Sequence, residues 1–184
     1  MFPALFLDRD GVIIENCTNY VRTWQDVSVL PGALEALASL STSPYKIIII
    51  TNQSAIGRGI LPIETAHEIN RRLVQIIGEA GGRVDGVYLC PHAPQDHCPC
   101  RKPQPGLLLQ AAQELSLDIP RSTLVGDAWS DLQAGRAAGV PQRILLRTGR
   151  GHDQLLLPPP PGLDDFQVCD DLHAAVKFLE LHQL

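Results

Sequence analysis

Five short apolar runs, rich in β-branched residues or Leu, fall at residues 4–7, 47–50, 84–89, 123–125 and 143–146. None shows polar alternation, the pattern of strands covered on both faces. Helical periodicity fills the intervals. The clearest case is 64–80, where Ile69, Leu73, Ile76, Ile77 and Ala80 share one face. Further helices are expected at 31–40 and 105–117, each with a proline near its first turn, and at 131–138, with Gly139 as the stop. Strands alternating with helices require parallel crossovers, so the pattern predicts an α/β domain with a mostly parallel five-stranded sheet and helices on both faces. The prolines at 158–161 read as a stiff extended spacer before a last helix at 171–182. There is no internal repeat, and a single domain is expected over 1–184.

Composition narrows the function classes. With 184 residues and 45% apolar content there is material for one well-buried core. The early apolar stretch at 1–14 is broken by Asp8, Arg9 and Asp10, too charged for a membrane span or a signal sequence, so a cytoplasmic protein is expected. A net charge of -5 gives no general attraction to nucleic acid or an anionic membrane, which leaves a small ligand held locally; a monomer is expected. Five cysteines are present, and Cys90, Cys98 and Cys100 crowd into eleven residues that also contain His92 and His97. That grouping suggests a metal rather than disulfides, which suits a reducing compartment. Cys17 and Cys169 are isolated and read as ordinary thiols.

The polar residues that look chemical sit at strand ends, where ligands gather in parallel α/β sheets. Asp8 and Asp10 follow the first apolar run, Thr51 and Asn52 the second, and Gly126, Asp127 and then Asp131 the fourth. An acidic pair alone is as well explained by a solvated turn. Several acids converging in a chain of modest net charge need compensation, and a hard cation such as Mg²⁺ supplies it. Phosphoryl transfer also needs a nucleophile, a proton donor and fixed positive charge. Asp8 suits the first role, Asp10 the second, and Thr51, Asn52 and Lys102 the third.

Four motifs in order, Leu7-Asp8-Arg9-Asp10-Gly11, Thr51-Asn52-Gln53-Ser54, Cys100-Arg101-Lys102-Pro103 and Gly126-Asp127 with Asp131, resemble those of the haloacid dehalogenase-like hydrolases. Within that superfamily the chain resembles the heptose bisphosphate phosphatases and the related histidinol-phosphate phosphatases, from about residue 4 to 149. The resemblance implies a three-layer Rossmann-like (HAD-type) fold and a phosphatase working through an aspartyl-phosphate on Asp8. Asp10 would be the acid/base, with Asp8, Asp10 (through its backbone carbonyl) and Asp127 as Mg²⁺ ligands. Thr51 and Lys102 would stabilise the transferring group, while Asn52, Gln53, Ser54 and Arg101 would bind the substrate, a small phosphorylated sugar. Two readings of Asp131 stand: orienting Lys102 or a metal-bound water, or simply opening a helix, where acids favour the dipole. No large insertion separates the motifs, so no separate cap domain is expected.

Cys90-Pro91-His92 and Cys98-Pro99-Cys100 offer a closed tetrahedral set for a structural Zn²⁺. Spacing leaves His97 as a rival to His92; the resemblance favours His92. The same loop at 90–100 ends beside Arg101 and Lys102, so a zinc there would fix both cations. Two departures bear on the substrate. Ala128 stands where heptose bisphosphate phosphatases commonly carry Lys, and the loop 15–21 is longer by about one residue, with Val12 in place of the usual Thr. A histidinol-phosphate or other sugar-phosphate phosphatase is the alternative. A metal-dependent glycosyltransferase and an inactive zinc-bearing module are remote ones, because neither gives a task to the whole set Asp8, Asp10, Thr51, Lys102 and Asp127.

Overall fold

Alternate residues of the first two strands feed opposite layers of apolar side chains. Leu5, Leu7, Ile47 and Ile49 point into one core, Ala4, Phe6, Ile48 and Ile50 into the other. This is the two-faced burial anticipated for runs without polar alternation. The computed structural model describes residues 1–182. Its sheet has six strands, all parallel: β1 (Ala4–Leu7), β2 (Lys46–Asn52), β3 (Gly86–Cys90), β4 (Thr123–Gly126), β5 (Gln142–Leu146) and β6 (Gln167–Cys169), in spatial order β3-β2-β1-β4-β5-β6.

Helices α1 (Ala33–Ser39), α3 (Ile63–Glu79) and α7 (Leu172–His182) cover one face. On the other lie α4 (Gly106–Leu115) and α5 (Trp129–Ala138). Two single-turn helices, α2 (Ser54–Gly57) and α6 (Gly151–Gln154), follow β2 and β5. The expected three-layer α/β arrangement is therefore present, without a cap domain among the described residues. No helix of these residues is long and apolar enough to cross a membrane.

The expected five strands become six. The extra strand, β6, is a three-residue edge whose Gln167 is exposed, so it never forms an apolar run. It intervenes between the prolines at 158–161 and α7. β2 runs two residues further than its apolar core because Thr51 and Asn52 still pair with Leu89 and Cys90. α1 begins at Ala33 rather than Pro31, since Gly32 before it is left-handed at φ 76°. The sheet order reverses between β1 and β4, and the crevice beyond their carboxyl ends is where such sheets bind ligands.

Candidate active site

β1 continues into Asp8 through the hydrogen bond from its N–H to Val125 O at 3.0 Å, which fixes this acid beside the end of β4. Its carboxylate Oδ1 accepts from the Arg9 N–H at 2.7 Å and from Lys102 Nζ at 2.9 Å. Lys102 is only 3% exposed. Its ammonium also meets Asp131 Oδ1 at 2.7 Å and donates to Ile50 O at 3.0 Å, so its three protons have three acceptors. Burial works against that charge, but Asp131 and Asp8 more than offset it and hold Lys102 above its ordinary range.

Asp131 fulfils both of its expected roles at once. It lies in the first turn of α5, where Oδ2 accepts from the Ala128 N–H at 3.0 Å, while Oδ1 holds Lys102. Asn52 grips the Lys102 backbone from β2 in both directions: Nδ2 donates to Lys102 O at 3.0 Å, and Oδ1 accepts from its N–H at 3.1 Å. That double clamp occupies the Asn52 amide. Gln53 Nε2 donates to Thr51 Oγ1 at 2.7 Å and to Asp10 Oδ2 at 3.1 Å, and the Thr51 hydroxyl donates to the same Asp10 oxygen at 3.3 Å.

Asp127 is fully buried at the end of β4. Its Oδ2 accepts from Asn16 Nδ2 at 2.6 Å and from the Arg150 N–H at 2.8 Å. Glycines make room for it: a Cβ at Gly11 (φ 82°) or at Gly149 would overlap Asp127 Oδ2. Asp127 Oδ1, by contrast, is buried and has no hydrogen-bond partner among the described residues. Carboxylate oxygens of Asp8, Asp127 and Asp131 all lie within 4.8 Å of one another. Against three carboxylates stand Lys102 and, at 3.8 Å from Asp127 Oδ2, the exposed Arg150 guanidinium, so the acids are undercompensated. Burial, offset in part by Lys102, pushes Asp8 up to about 8, and burial with the Asp131 charge pushes Asp127 up to about 6. An orphaned oxygen and excess negative charge are what a hard divalent cation relieves, so Asp8 and Asp127 fit one, with Asp131 already engaged by Lys102.

These groups open onto a cavity of about 660 Å³, whose walls include Asp8, Asp10, Ser54, Arg101, Lys102 and Arg150. Arg101 Nη1 donates to His92 O at 3.2 Å, which ties the rim of this cavity to the cysteine loop. In that loop Cys90 Sγ, His92 Nδ1, Cys98 Sγ and Cys100 Sγ all lie within 4.8 Å of one another, five of the six pairs at 3.1–3.6 Å. The edges of a tetrahedral zinc–thiolate site measure roughly 3.8 Å. His97, the rival histidine, is exposed and lies outside the cluster.

Three participants escaped the sequence. Asn16 and Arg150 reach Asp127 across 111 and 23 residues, separations that no local motif reveals. The rule that found Asp8 and Asp127, looking just past each strand, would have pointed to Arg150 after β5. Arg9 had been read only as the residue between two acids, yet it is 1% exposed and ion-paired with Asp10.

Comparison with known proteins identifies the family. A family model described as HAD-hydrolase-like matches residues 99–175. The D-glycero-β-D-manno-heptose-1,7-bisphosphate 7-phosphatase of Pseudomonas aeruginosa is 38% identical over 175 residues, 95% of this chain and 96% of that one. The enzyme of that name from Helicobacter pylori is 42% identical over 144 residues, 78% of this chain and 82% of its own. The crystal structure of the D,D-heptose 1,7-bisphosphate phosphatase from Bordetella bronchiseptica, complexed with magnesium and phosphate, superposes with a TM-score of 0.89 at 34% identity, covering 97% of this chain and 98% of that one. By identity, coverage and fold, the chain belongs to the D-glycero-β-D-manno-heptose-1,7-bisphosphate 7-phosphatase family of the haloacid dehalogenase-like hydrolases.

Proposed function

We propose that this protein is a cytoplasmic, monomeric phosphatase that removes the 7-phosphate of D-glycero-β-D-manno-heptose 1,7-bisphosphate through a phospho-aspartate on Asp8. The observation that carries the reading is the pairing of Asp8 with the buried Lys102 on the wall of a cavity of metabolite size, with Asp127 and its unpartnered oxygen buried close by. Asp8 attacks the phosphorus and the ester P–O bond breaks, with Asp10 giving its proton to the departing alkoxide. Water then attacks the acyl phosphate, Asp10 takes up a proton, and inorganic phosphate leaves with Asp8 restored. Lys102 holds the nucleophile in place, and with Thr51 it offsets the negative charge that accumulates on the transferring oxygens. When bound, Mg²⁺ held by Asp8, Asp127 and the Asp10 carbonyl supplies further charge neutralisation.

Arg101, Gln53 and Ser54 line the cavity and are assigned to the substrate, with Asn52 acting there mainly by gripping Lys102. Ala128 lines the same wall, so a Lys contact to a second phosphate is missing; Arg101 and Arg150 are the cations left to receive it. That gap favours a second reading, a phosphatase of a sugar monophosphate or of histidinol phosphate. We assign the Cys90, His92, Cys98 and Cys100 cluster to a structural Zn²⁺, since four protein ligands leave no position for water. Steady-state phosphate release with Mg²⁺ over a panel of both bisphosphate anomers, sugar monophosphates and histidinol phosphate separates the readings. The heptose bisphosphate is expected to give the highest kcat/KM; a preference for histidinol phosphate would reverse the assignment.

A further inference from the structure

Arg9 sits between the two acids given the chemistry, yet it does not line the cavity and so touches no substrate. Its guanidinium folds back onto Asp10 as a fork: Nε to Oδ2 at 3.1 Å, Nη2 to Oδ1 at 3.1 Å and to Oδ2 at 3.0 Å. From behind, Nη1 donates to Asn70 Oδ1 at 2.8 Å, on the buried face of α3. Asn70 is 5% exposed, and its Nδ2 has no hydrogen-bond partner among the described residues. A buried ion pair is a poor source of stability, and a buried amide with an unmet donor is a liability. The arrangement makes sense as geometry. Asp10 precedes Gly11, which turns the chain at φ 82°, and without the fork only Thr51 and Gln53 would restrain its carboxylate.

We infer that Arg9, braced by Asn70, is a positioning residue that holds the Asp10 carboxylate at the orientation needed for proton transfer in both half-reactions. The inference rests on the acid/base reading of Asp10. In the first half-reaction the Asp10 carboxylic acid O–H breaks as the ester oxygen gains its proton. In the second the water O–H breaks as its oxygen bonds phosphorus, and Asp10 regains the proton. A misaligned Asp10 therefore slows departure of an alkoxide, which needs a proton. Departure of nitrophenolate, which needs none, is spared, while hydrolysis of the phosphoenzyme is slowed for both substrates.

Asn70→Leu removes the brace at similar volume, Asn70→Asp keeps an acceptor for Nη1, and Arg9→Lys keeps the charge without the fork. With Mg²⁺, N70L is expected to lower kcat on glycerol phosphate about tenfold with KM within about twofold, the range expected for partial loss of proton-transfer geometry. On p-nitrophenyl phosphate it should show a pre-steady-state burst approaching one nitrophenolate per site, and N70D should restore both properties toward wild type. R9K should resemble N70L; if it fails to fold, the Asn70 pair decides. The inference is overturned if N70L keeps kcat within twofold on glycerol phosphate, if it loses rate equally on both substrates without a burst, or if the loss lies in KM. Asp10→Ala separates this failure from a deeper one. If D10A is crippled while N70L is not, only the positioning role falls; if D10A hydrolyses glycerol phosphate like wild type, the acid/base reading falls with it.

Discussion

Replacing the proposed nucleophile by its amide should make the metal-free protein more stable while abolishing turnover. Asp8 is buried, and its folded-state value is pushed from 3.8 up to about 8, first by desolvation and further by Asp131, Asp127 and Asp10 against the pull of Lys102. A raised acid binds its proton more tightly when folded. Its stabilising contribution is therefore complete below 3.8 and is lost as pH climbs through about 8. Above that pH the ionisation penalty approaches about 6 kcal/mol, the rise from 3.8 to about 8 at roughly 1.4 kcal/mol per pH unit. Asp8→Asn removes this penalty but deprives Lys102 of its 2.9 Å ionic partner, which returns about 1.5–3 kcal/mol. The net gain is about 2 kcal/mol or more at pH 8, a rise in Tm of about 4–8 °C for a chain of this size. Thermal melts of wild type and D8N in EDTA at pH 5 and pH 8 test it: the D8N advantage should be large at pH 8, small at pH 5, and eroded by saturating Mg²⁺, for which an amide is a poor ligand. An equal margin at both pH values, or D8N less stable than wild type at pH 8 without metal, would refute the electrostatic argument.

Two further perturbations address the metals. Asn16→Ala frees Asp127 Oδ2 from its 2.6 Å restraint and should raise the Mg²⁺ concentration for half-maximal activity about tenfold, in the range of lost outer-sphere partners; an unchanged Mg²⁺ titration, read by both thermal shift and turnover, would dismiss the restraint. Stripping the proposed zinc with a selective chelator and then restoring Mg²⁺ should lower Tm and cut activity roughly tenfold, because the loop that precedes Arg101 and Lys102 would lose its anchor. Full activity in protein shown by elemental assay to be zinc-free would break that link.

How much of the fold the chain announces depends on how each strand is covered. β1, β2 and β4 lie inside the sheet with both faces buried, so unbroken apolar runs reveal them, and β1 has the expected bounds. β6 is covered on one side only and is three residues long, so its sequence looks like loop. The polar end of β2 was hidden for a related reason: Thr51 and Asn52 keep the strand's hydrogen bonds but turn their side chains to Asp10 and Lys102. Motif residues are legible because strand ends bring short segments to one crevice. Their supports are not, since Asn16, Asn70 and Arg150 reach the acids only through tertiary packing.

The distribution of partners also explains how four aspartates of identical chemistry come to do different work. Asp131 and Asp8 share Lys102, but Asp131 spends its second oxygen on the Ala128 N–H, while the Asp8 Oδ1 contacts leave that side chain on the cavity wall. Asp10 is held by the guanidinium of the buried Arg9, which fixes the direction of its carboxylate. Asp127 is clamped through Oδ2 alone, with its Oδ1 left buried and without a partner among the described residues, and its carboxylate lies near that of Asp8. Environment, rather than residue type, sets the role. One consequence follows for swaps: there is no room to lengthen Asp127 by a methylene, since a Cβ at Gly11 or Gly149 would already overlap its Oδ2. Asp127→Glu is then expected to raise the Mg²⁺ concentration needed for half-maximal phosphate release, and an unchanged Mg²⁺ titration would refute the crowding argument.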